Sequence, residues 1–202
     1  MEIQEPFNPL NKKNLGLSVA EALLQKSISS LPPTPFSGAG IYAIYYAGDF
    51  AEYKTLSEAN SEDEWSQPIY VGKAIPAGAR RGGVGLDAPP GTVLFNRLRE
   101  HASSILSASA TLRLQDFRCR YLIVDDIWIP LGESLLIEMF RPLWNVALDG
   151  FGNHTPGAGR FNQARSPWDV LHPGREWAER CAPGRNPIEI VDAVRRHFST
   201  KA

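Results

Sequence analysis

Two tripeptides that each contain a tyrosine, and three polar residues that follow them in the sequence, are candidates for catalysis. The triplets are Gly40-Ile41-Tyr42 and Tyr70-Val71-Gly72. Arg97 and His101 stand four residues apart in a segment with helical periodicity, so both side chains could meet one phosphate. Glu133 is predicted in the first turn of a second helix, where its carboxylate could bind Mg²⁺ together with water and a phosphate oxygen. These groups predict cleavage of a phosphodiester.

The order and local contexts of these residues resemble the active-site signature of the GIY-YIG nucleases. Further segments resemble the small type II restriction endonucleases of that superfamily, in the group that cuts the palindrome CCGCGG. The resemblance covers about residues 36–181 and depends most on four segments, 68–74, 96–101, 141–145 and 149–160. It implies an enzyme that hydrolyses double-stranded DNA at a GC-rich palindrome, most specifically CCGCGG.

The resemblance also implies roles for the candidate catalytic side chains. Tyr42 is expected to activate the attacking water, and Tyr70 to orient the water or the phosphate. A phenol has an ordinary pKa of about 10, so Tyr42 needs positive charge nearby to act as a base at neutral pH. Lys73, Arg97 or the metal ion could supply that charge, and Lys73 could instead contact phosphate. Arg97 is expected to neutralise charge on the pentavalent phosphorus, and His101 to bond a tyrosine or the phosphate.

The expected metal site depends on one carboxylate. The resemblance implies that Glu133 holds a single Mg²⁺ ion, for which Mn²⁺ can substitute, and that the ion stabilises the leaving 3′ oxygen. Glu138 is a rival ligand, but it lies five residues from Glu133 and so points to another side of the helix. Asn145 is expected to hold this arrangement together through hydrogen bonds.

Hydrophobic periodicity predicts two strands, a helix, a third strand and a second helix, in that order. The strands are predicted at 40–46, 68–72 and 117–124, and the helices at 92–107 and from residue 132. This order predicts an α+β fold with a small mixed or antiparallel sheet flanked by helices, which is also the GIY-YIG domain that the resemblance implies. A capping-box pattern from Ser18 to Glu21 predicts an N-terminal helix over 18–30, and a closing helix is predicted over 187–198.

We divide the chain into three parts that together form one domain. Residues 1–35 are an N-terminal helical extension, 36–148 the catalytic core, and 149–202 a C-terminal wrap that contacts DNA. The core has insertions at about 47–67 and 76–91, and the first of these is acidic and polar and is expected at the surface.

Basic side chains are concentrated in two segments, although the formal net charge of the chain is only −1. Residues 73–120 contain 8 basic and 3 acidic side chains, and residues 150–202 contain 8 and 5. The two segments could form an electropositive face that contacts phosphates. By charge alone, random clustering on a solvated surface is an equally good explanation.

Recognition of G·C pairs from the major groove favours arginine side chains. Candidate DNA-binding residues are Arg80, Arg81, Arg160 and Arg165, with Asn153, His154, Asn162 and Gln163 as polar helpers. Cutting both strands of a palindrome requires two active sites, and the chain contains one set of candidate residues, so we expect a homodimer. The restriction interpretation also implies functional pairing with a cognate DNA methyltransferase.

Two other functions remain open at this stage. The same catalytic domain could serve a DNA-repair or homing-type nuclease, although the chain contains no appended DNA-binding or repair domain. A catalytically silent DNA-binding or adaptor protein is the other alternative. The presence of the complete candidate set argues against it.

Bulk properties predict a soluble, cytoplasmic protein. No apolar run approaches the roughly 20 residues that a membrane span needs, and no signal-peptide pattern opens the sequence. Cys119 and Cys181 have neither metal-ligand spacing nor the pattern of a disulfide framework. We therefore predict that both are buried, reduced thiols.

Overall fold

A four-stranded sheet organises the part of the chain that the computed structural model describes, which is residues 8, 10–61, 64–76, 91–155 and 161–200. The strands are β1 (Ser29–Ser30), β2 (Gly40–Tyr46), β3 (Pro68–Ala74) and β4 (Phe117–Ile123). Their order in the sheet is β1-β4-β2-β3, and every pairing is antiparallel. The predicted α+β fold with a small sheet flanked by helices is confirmed.

Helices cover both faces of this sheet. Their bounds are α1 (Lys12–Leu24), α2 (Lys54–Ala59), α3 (Val93–Ser107), α4 (Ile129–Phe140), α5 (Leu143–Val146), α6 (Pro167–Leu171), α7 (Glu176–Glu179) and α8 (Pro187–Ser199). The helices predicted over 92–107 and 187–198 are confirmed to within a residue, and the strand predicted over 68–72 runs two residues further. None of the helices in the described ranges is long and apolar enough to cross a membrane.

Strand β2 is buried along its whole length because it lies between β3 and β4 and both of its faces are covered. Successive side chains of a strand point to opposite faces. Tyr42 therefore packs into a core with α3, α5, α6 and α8, whereas Ile41 packs into a second core with α1 and α4. Tyr42 lies opposite Gly72 of β3 and Tyr121 of β4. This register places the first tyrosine triplet directly beside the second.

The predicted bounds of the N-terminal helix are wrong, because α1 begins and ends six residues earlier. Asn11 caps the helix, and its side chain accepts a hydrogen bond from the backbone N–H of Lys13. Gly16, which weakens a helix, is accommodated because it lets α1 pack closely on Leu131 and Leu135 of α4. The Ser18 pattern thus lies inside the helix and is not its cap.

The expectation that the whole 47–67 segment lies at the surface is also wrong. Tyr53 is fully buried and Leu56 is 5% exposed, in a short helical turn (Ala51–Tyr53) followed by α2. Asn60 is buried as well and fixes the return to β3, with its amide nitrogen donating to the carbonyl oxygens of Tyr46 and Gln67. These few buried side chains are dispersed among acidic residues, so the composition of the segment did not predict their burial.

The two cysteines are buried free thiols, as predicted. Burial raises the pKa of the Cys119 thiol to about 12. A thiol with so high a pKa is protonated at neutral pH, so Cys119 is unreactive in the folded protein.

Candidate active site

A buried tyrosine–histidine pair lies at the centre of the site. The hydroxyl oxygen of Tyr42 on β2 is 2.6 Å from Nε2 of His101 on α3, and both side chains are essentially inaccessible to solvent. Burial, reinforced by the positive charge of Arg97, lowers the pKa of His101 well below its ordinary 6.5. Burial also raises the pKa of Tyr42 well above 10, with Tyr70 adding to the increase and Arg97 opposing it. At neutral pH the pair therefore consists of a neutral imidazole and a protonated phenol.

The ring of Tyr70 on β3 lies against this pair, 6.2 Å from the Tyr42 ring and 5.2 Å from the His101 ring, measured between centroids. Burial raises the pKa of the Tyr70 phenol, and Arg97 lowers it. The guanidinium of Arg97 is thus close enough to act on both hydroxyls. It is held by bonds to the backbone oxygen of Gly152 (2.7 Å), to the carboxylate of Glu100 (3.0 Å) and to the ring of His154 (2.7 Å).

Glu133 reaches the same site from the other face of the sheet. Its charge raises the pKa of both Tyr42 and Tyr70, so the carboxylate lies within electrostatic reach of both hydroxyls. An Oε2–Nζ ion pair of 2.6 Å joins Glu133 to Lys73, and their side chains are 18% and 34% exposed. The structure therefore places the Lys73 ammonium against the candidate metal ligand.

The predicted position of Glu133 in the first turn of its helix is wrong. Helix α4 begins at Ile129, with Pro130 near its start, and this puts Glu133 in the second turn. Stabilisation by the helix dipole falls off within the first turn. The positive charge next to the carboxylate comes instead from Lys73.

Asn145 fixes the strand that presents Tyr70. Its side-chain oxygen accepts a 2.8 Å hydrogen bond from the N–H of Val71, and its amide nitrogen donates a 2.8 Å bond to the carbonyl of Val71. Strand β3 is the outermost strand of the described sheet, so its outer backbone groups need partners other than a neighbouring strand. Asn145 supplies them at the residue between Tyr70 and Gly72.

Two glycines make room for the tyrosine hydroxyls. A Cβ atom at Gly72 would collide with the hydroxyl of Tyr42, which lies across from it in the sheet. A Cβ atom at Gly152 would lie 2.6 Å from the hydroxyl of Tyr70. Gly72 is thus required for steric reasons, because no side chain fits between β3 and the Tyr42 phenol.

Comparison with protein-family models adds a finding to this geometry. Residues 34–198 match the Eco29kI GIY-YIG domain, a family of restriction enzymes. The chain belongs to this family. A search among curated proteins found no match.

As a GIY-YIG restriction endonuclease, the protein is a nuclease that acts on DNA. GIY-YIG nucleases in general depend on divalent metal ions. The sequence-based expectation of a GIY-YIG restriction endonuclease is confirmed at this level. In the GIY-YIG domain Tyr42, Tyr70, Arg97 and His101 lie together, and Glu133 is paired with Lys73 of the strand that carries Tyr70.

The candidate DNA-binding residues have different surroundings in the endonuclease. Asn153 and His154 border a cavity of about 250 Å³ that also reaches Arg97 and His101. Arg165 donates to the backbone oxygens of Ala178 and Glu179, so two of its nitrogens bond the tail itself. Asn162 and Gln163 are exposed. Arg80, Arg81 and Arg160 lie outside the described residues.

A second cavity, of about 370 Å³, lies on the other side of the Arg97–His154 contact and is lined by Lys73, Asn96 and Glu100 among others. Arg97, Glu100 and His154 line both cavities. A larger cavity of about 460 Å³ is lined by residues between 48 and 61 and contains none of the converging side chains. Its larger size therefore does not make it a candidate active site.

The sequence analysis counted loop 150–153 in the family resemblance but gave no role to Phe151 and Gly152, through which the loop contacts the site. The Phe151 ring stacks on His101 with centroids 4.5 Å apart and an angle of 18° between the planes. Gly152 accepts the bond from Arg97. The only sequence signal for this contact was the run of glycines and aromatic residues. A backbone carbonyl can come from any residue type, so its bond to Arg97 could not be predicted from the sequence.

Acid is expected to destabilise the fold through two buried neutral histidines. His172 repeats the arrangement of His101, with Nε2 2.5 Å from the Tyr53 hydroxyl, and burial lowers its pKa to about 3. Both groups titrate near 6.5 in the unfolded chain, which then binds more protons than the folded protein. Stability is therefore complete above that pH and falls below it, by about 1.4 kcal/mol per pH unit for each histidine.

Urea unfolding at about pH 7.5 and about pH 5.5 measures this loss. In His172→Asn the difference between the two pH values should shrink by about half, because one of the two titrations is removed. An equal pH dependence in the wild type and His172→Asn would refute the assignment of His172.

Proposed function

We propose that this endonuclease is a type II restriction enzyme that hydrolyses both strands of DNA at a GC-rich palindrome, CCGCGG, by a one-metal mechanism with Mg²⁺. The observation that supports this most directly is the contact of Tyr42 with His101, with Tyr70 and Arg97 beside them and Glu133 joined to Lys73 of the same strand as Tyr70. A base, a cation and a carboxylate beside one another are what in-line phosphodiester hydrolysis needs.

Tyr42 and His101 can move the proton of the attacking water. His101 is neutral, and its Nε2 lies 2.6 Å from the Tyr42 oxygen, so it can accept the phenolic proton. The Tyr42 oxygen then takes a proton from water as the hydroxide forms its bond to phosphorus. After the bond to the leaving 3′ oxygen breaks, Tyr42 passes the proton that it took from the attacking water to that oxygen by way of water, and the proton held by His101 returns to Tyr42. This relay needs no stable tyrosinate, which the raised pKa of Tyr42 disfavours.

Arg97 and Tyr70 prepare the phosphate. Three bonds hold the Arg97 guanidinium in place, so its charge is fixed before the substrate arrives. A cation held in this way stabilises the charge that develops on the phosphoryl oxygens and loses little conformational freedom in the reaction. Tyr70 shares the pocket and orients the water or a phosphate oxygen.

The donor set suits a hard divalent cation with few protein ligands. Glu133 offers one carboxylate, next to Lys73 of the strand that carries Tyr70, and no group of three or more histidine, cysteine or acidic side chains suited to a metal occurs among the described residues. One carboxylate with several waters is typical of Mg²⁺ and unlike the closed sites of zinc. When bound, the ion would stabilise the leaving 3′ oxygen, and Mn²⁺ could replace Mg²⁺.

The restriction function includes a homodimer, because a palindrome presents two equivalent phosphodiesters and each chain supplies one set of catalytic groups. Bases would be read by Arg80, Arg81, Arg160 and Arg165 with help from Asn153 and His154. The enzyme would act in the cytoplasm beside a cognate methyltransferase that protects the cell's own sites. Membership of a restriction-enzyme family favours this function over DNA repair or homing.

Digestion of a mapped plasmid tests the proposal. One plasmid carries several CCGCGG sites and its matched control carries the same sites with one base pair changed, and both are incubated with Mg²⁺, Mn²⁺ or EDTA. We expect discrete fragments with identical ends inside each site, from the first plasmid and with metal only. An intact plasmid in both metals refutes the nuclease, and heterogeneous ends refute the palindrome. Sedimentation of the protein with a duplex of one site tests the dimer.

A further inference from the structure

A buried ion pair in the C-terminal tail lies outside the set of catalytic candidates. Arg175 and Asp169 are 5% and 2% exposed, and two bonds join them, from Nε to Oδ1 (2.6 Å) and from Nη2 to Oδ2 (2.7 Å). The guanidinium lies over the rings of Trp168 and Trp177, 4.6 and 4.7 Å from their centroids. Charge pairing and aromatic packing therefore fix the plane of Arg175.

The remaining donors of Arg175 bind the backbone of residues 150–153, which we name the clamp loop. Nη2 donates to the carbonyl of Gly150 at 2.9 Å, and Nη1 donates to the carbonyls of Phe151 and Asn153 at 3.1 and 3.3 Å. One guanidinium thus bonds three carbonyls of a four-residue loop. Arginine can do this while it also bonds Asp169 twice, because it has five N–H donors, whereas a lysine ammonium has only three.

The clamp loop in turn holds two of the proposed catalytic side chains. The carbonyl of Gly152 accepts the 2.7 Å bond from Nη2 of Arg97. The ring of Phe151 lies on that of His101 and meets that of Tyr70 edge-on, with centroids 5.0 Å apart. Displacement of this loop by a fraction of an ångström would move the guanidinium and the imidazole together.

We propose that Arg175, held by Asp169, is a positioning residue for DNA cleavage that acts through the clamp loop on Arg97 and His101. The inference rests on the nuclease function proposed above. Replacement of a buried ion pair by apolar side chains is often neutral or stabilising, so stability alone does not account for this arginine. The three bonded carbonyls do account for it, because they belong to the loop that orients the reacting groups.

Arg175→Lys tests this role by single-turnover cleavage of DNA that is already bound. The rate per folded active site should fall about 10- to 100-fold, as expected when catalytic groups are slightly misplaced. The affinity for DNA, measured without metal, should stay within about threefold, because Arg175 is buried and cannot contact DNA. Val194→Ala, in the core at α8, is the control for lowered stability and should keep the wild-type rate. A wild-type rate in folded Arg175→Lys overturns the inference.

A double-mutant cycle with Arg97→Lys separates positioning from general damage. If Arg175 acts through Arg97, the double variant should be hardly slower than Arg97→Lys alone. Independent, multiplying losses would overturn the inference. Asp169→Asn is a milder second variant, because asparagine keeps the shape of the side chain but removes its charge. Its cleavage rate should also fall about 10- to 100-fold, and a wild-type rate would overturn the inference.

NMR spectroscopy tests the contact between the clamp loop and Arg97 without relying on DNA cleavage. In the wild type the guanidinium protons of Arg97, bonded to Gly152, should give resolved side-chain NMR signals. These signals should broaden or average in Arg175→Lys and in Asp169→Asn. Unchanged signals would overturn the positioning role even if the wild-type enzyme cuts DNA. An inactive wild type with the expected loss of signals would refute the proposed function and leave the contact between loop and arginine established.

Discussion

Tyr42→Phe is expected to cut DNA about 100- to 10,000-fold more slowly than the wild type and to bind it equally well. The substitution removes the hydroxyl that bonds Nε2 of His101 and that takes the proton of water in the proposed relay, and it keeps the ring that fills the core beside β3. Without that oxygen the imidazole has no path to the water in this pocket. The rate is measured on pre-bound DNA in a single turnover, and the affinity is measured without metal.

Tyr53→Phe is a matched control for this variant. It makes the same chemical change in a second buried tyrosine–histidine pair, where the hydroxyl of Tyr53 meets His172. Both variants leave a buried imidazole nitrogen without its tyrosine partner and should lose about 1–3 kcal/mol of stability. Only Tyr42→Phe should lose turnover. Near-normal cleavage by Tyr42→Phe, or equal losses in the two variants, would reject Tyr42 as the water-activating group.

The sheet and its principal helices could be predicted because their signals are local. Strand β2 is a continuous apolar and aromatic run that burial on both faces requires, and α3 has a clear helical period. The N-terminal helix was misplaced because the Ser18 pattern was taken as its start, whereas Asn11 caps it and packing against α4 accommodates Gly16. Tyr53 was missed for a similar reason, since its partners Trp144 and His172 are about a hundred residues away in sequence.

The candidate site was foreseeable as a set of side chains and not as a set of contacts. The resemblance to the GIY-YIG signature indicated Tyr42 as the base, Arg97 as the cation and Glu133 as the metal ligand. Their partners depend on tertiary structure. The pairing of Lys73 with Glu133 joins a strand to a helix, and the support of Arg97 by the clamp loop runs through a backbone carbonyl that any residue type could supply.

Glu133→Gln is expected to abolish cleavage with every divalent ion, by about 1,000-fold or more, and to leave specific binding intact. Metal ions contribute several kcal/mol to transition-state stabilisation, which corresponds to that factor. Glutamine keeps the size of the side chain but removes the charge that attracts both the ion and Lys73. The loss of stability should be small, since the pair is partly solvated. Cleavage rates are measured across a Mg²⁺ and a Mn²⁺ titration, and binding without metal.

Glu138→Gln is the control because it removes an equal charge from the same helix at an exposed position. It should cleave like the wild type with the same dependence on metal concentration. If Glu138→Gln needed more metal ion for cleavage and Glu133→Gln remained active, Glu138 would be the metal ligand instead. Activity of Glu133→Gln that returns at high metal concentration would instead show that the carboxylate strengthens metal binding without being required for the chemistry. Only persistent inactivity at saturating Mg²⁺ and Mn²⁺ agrees with Glu133 as the sole protein ligand of the metal.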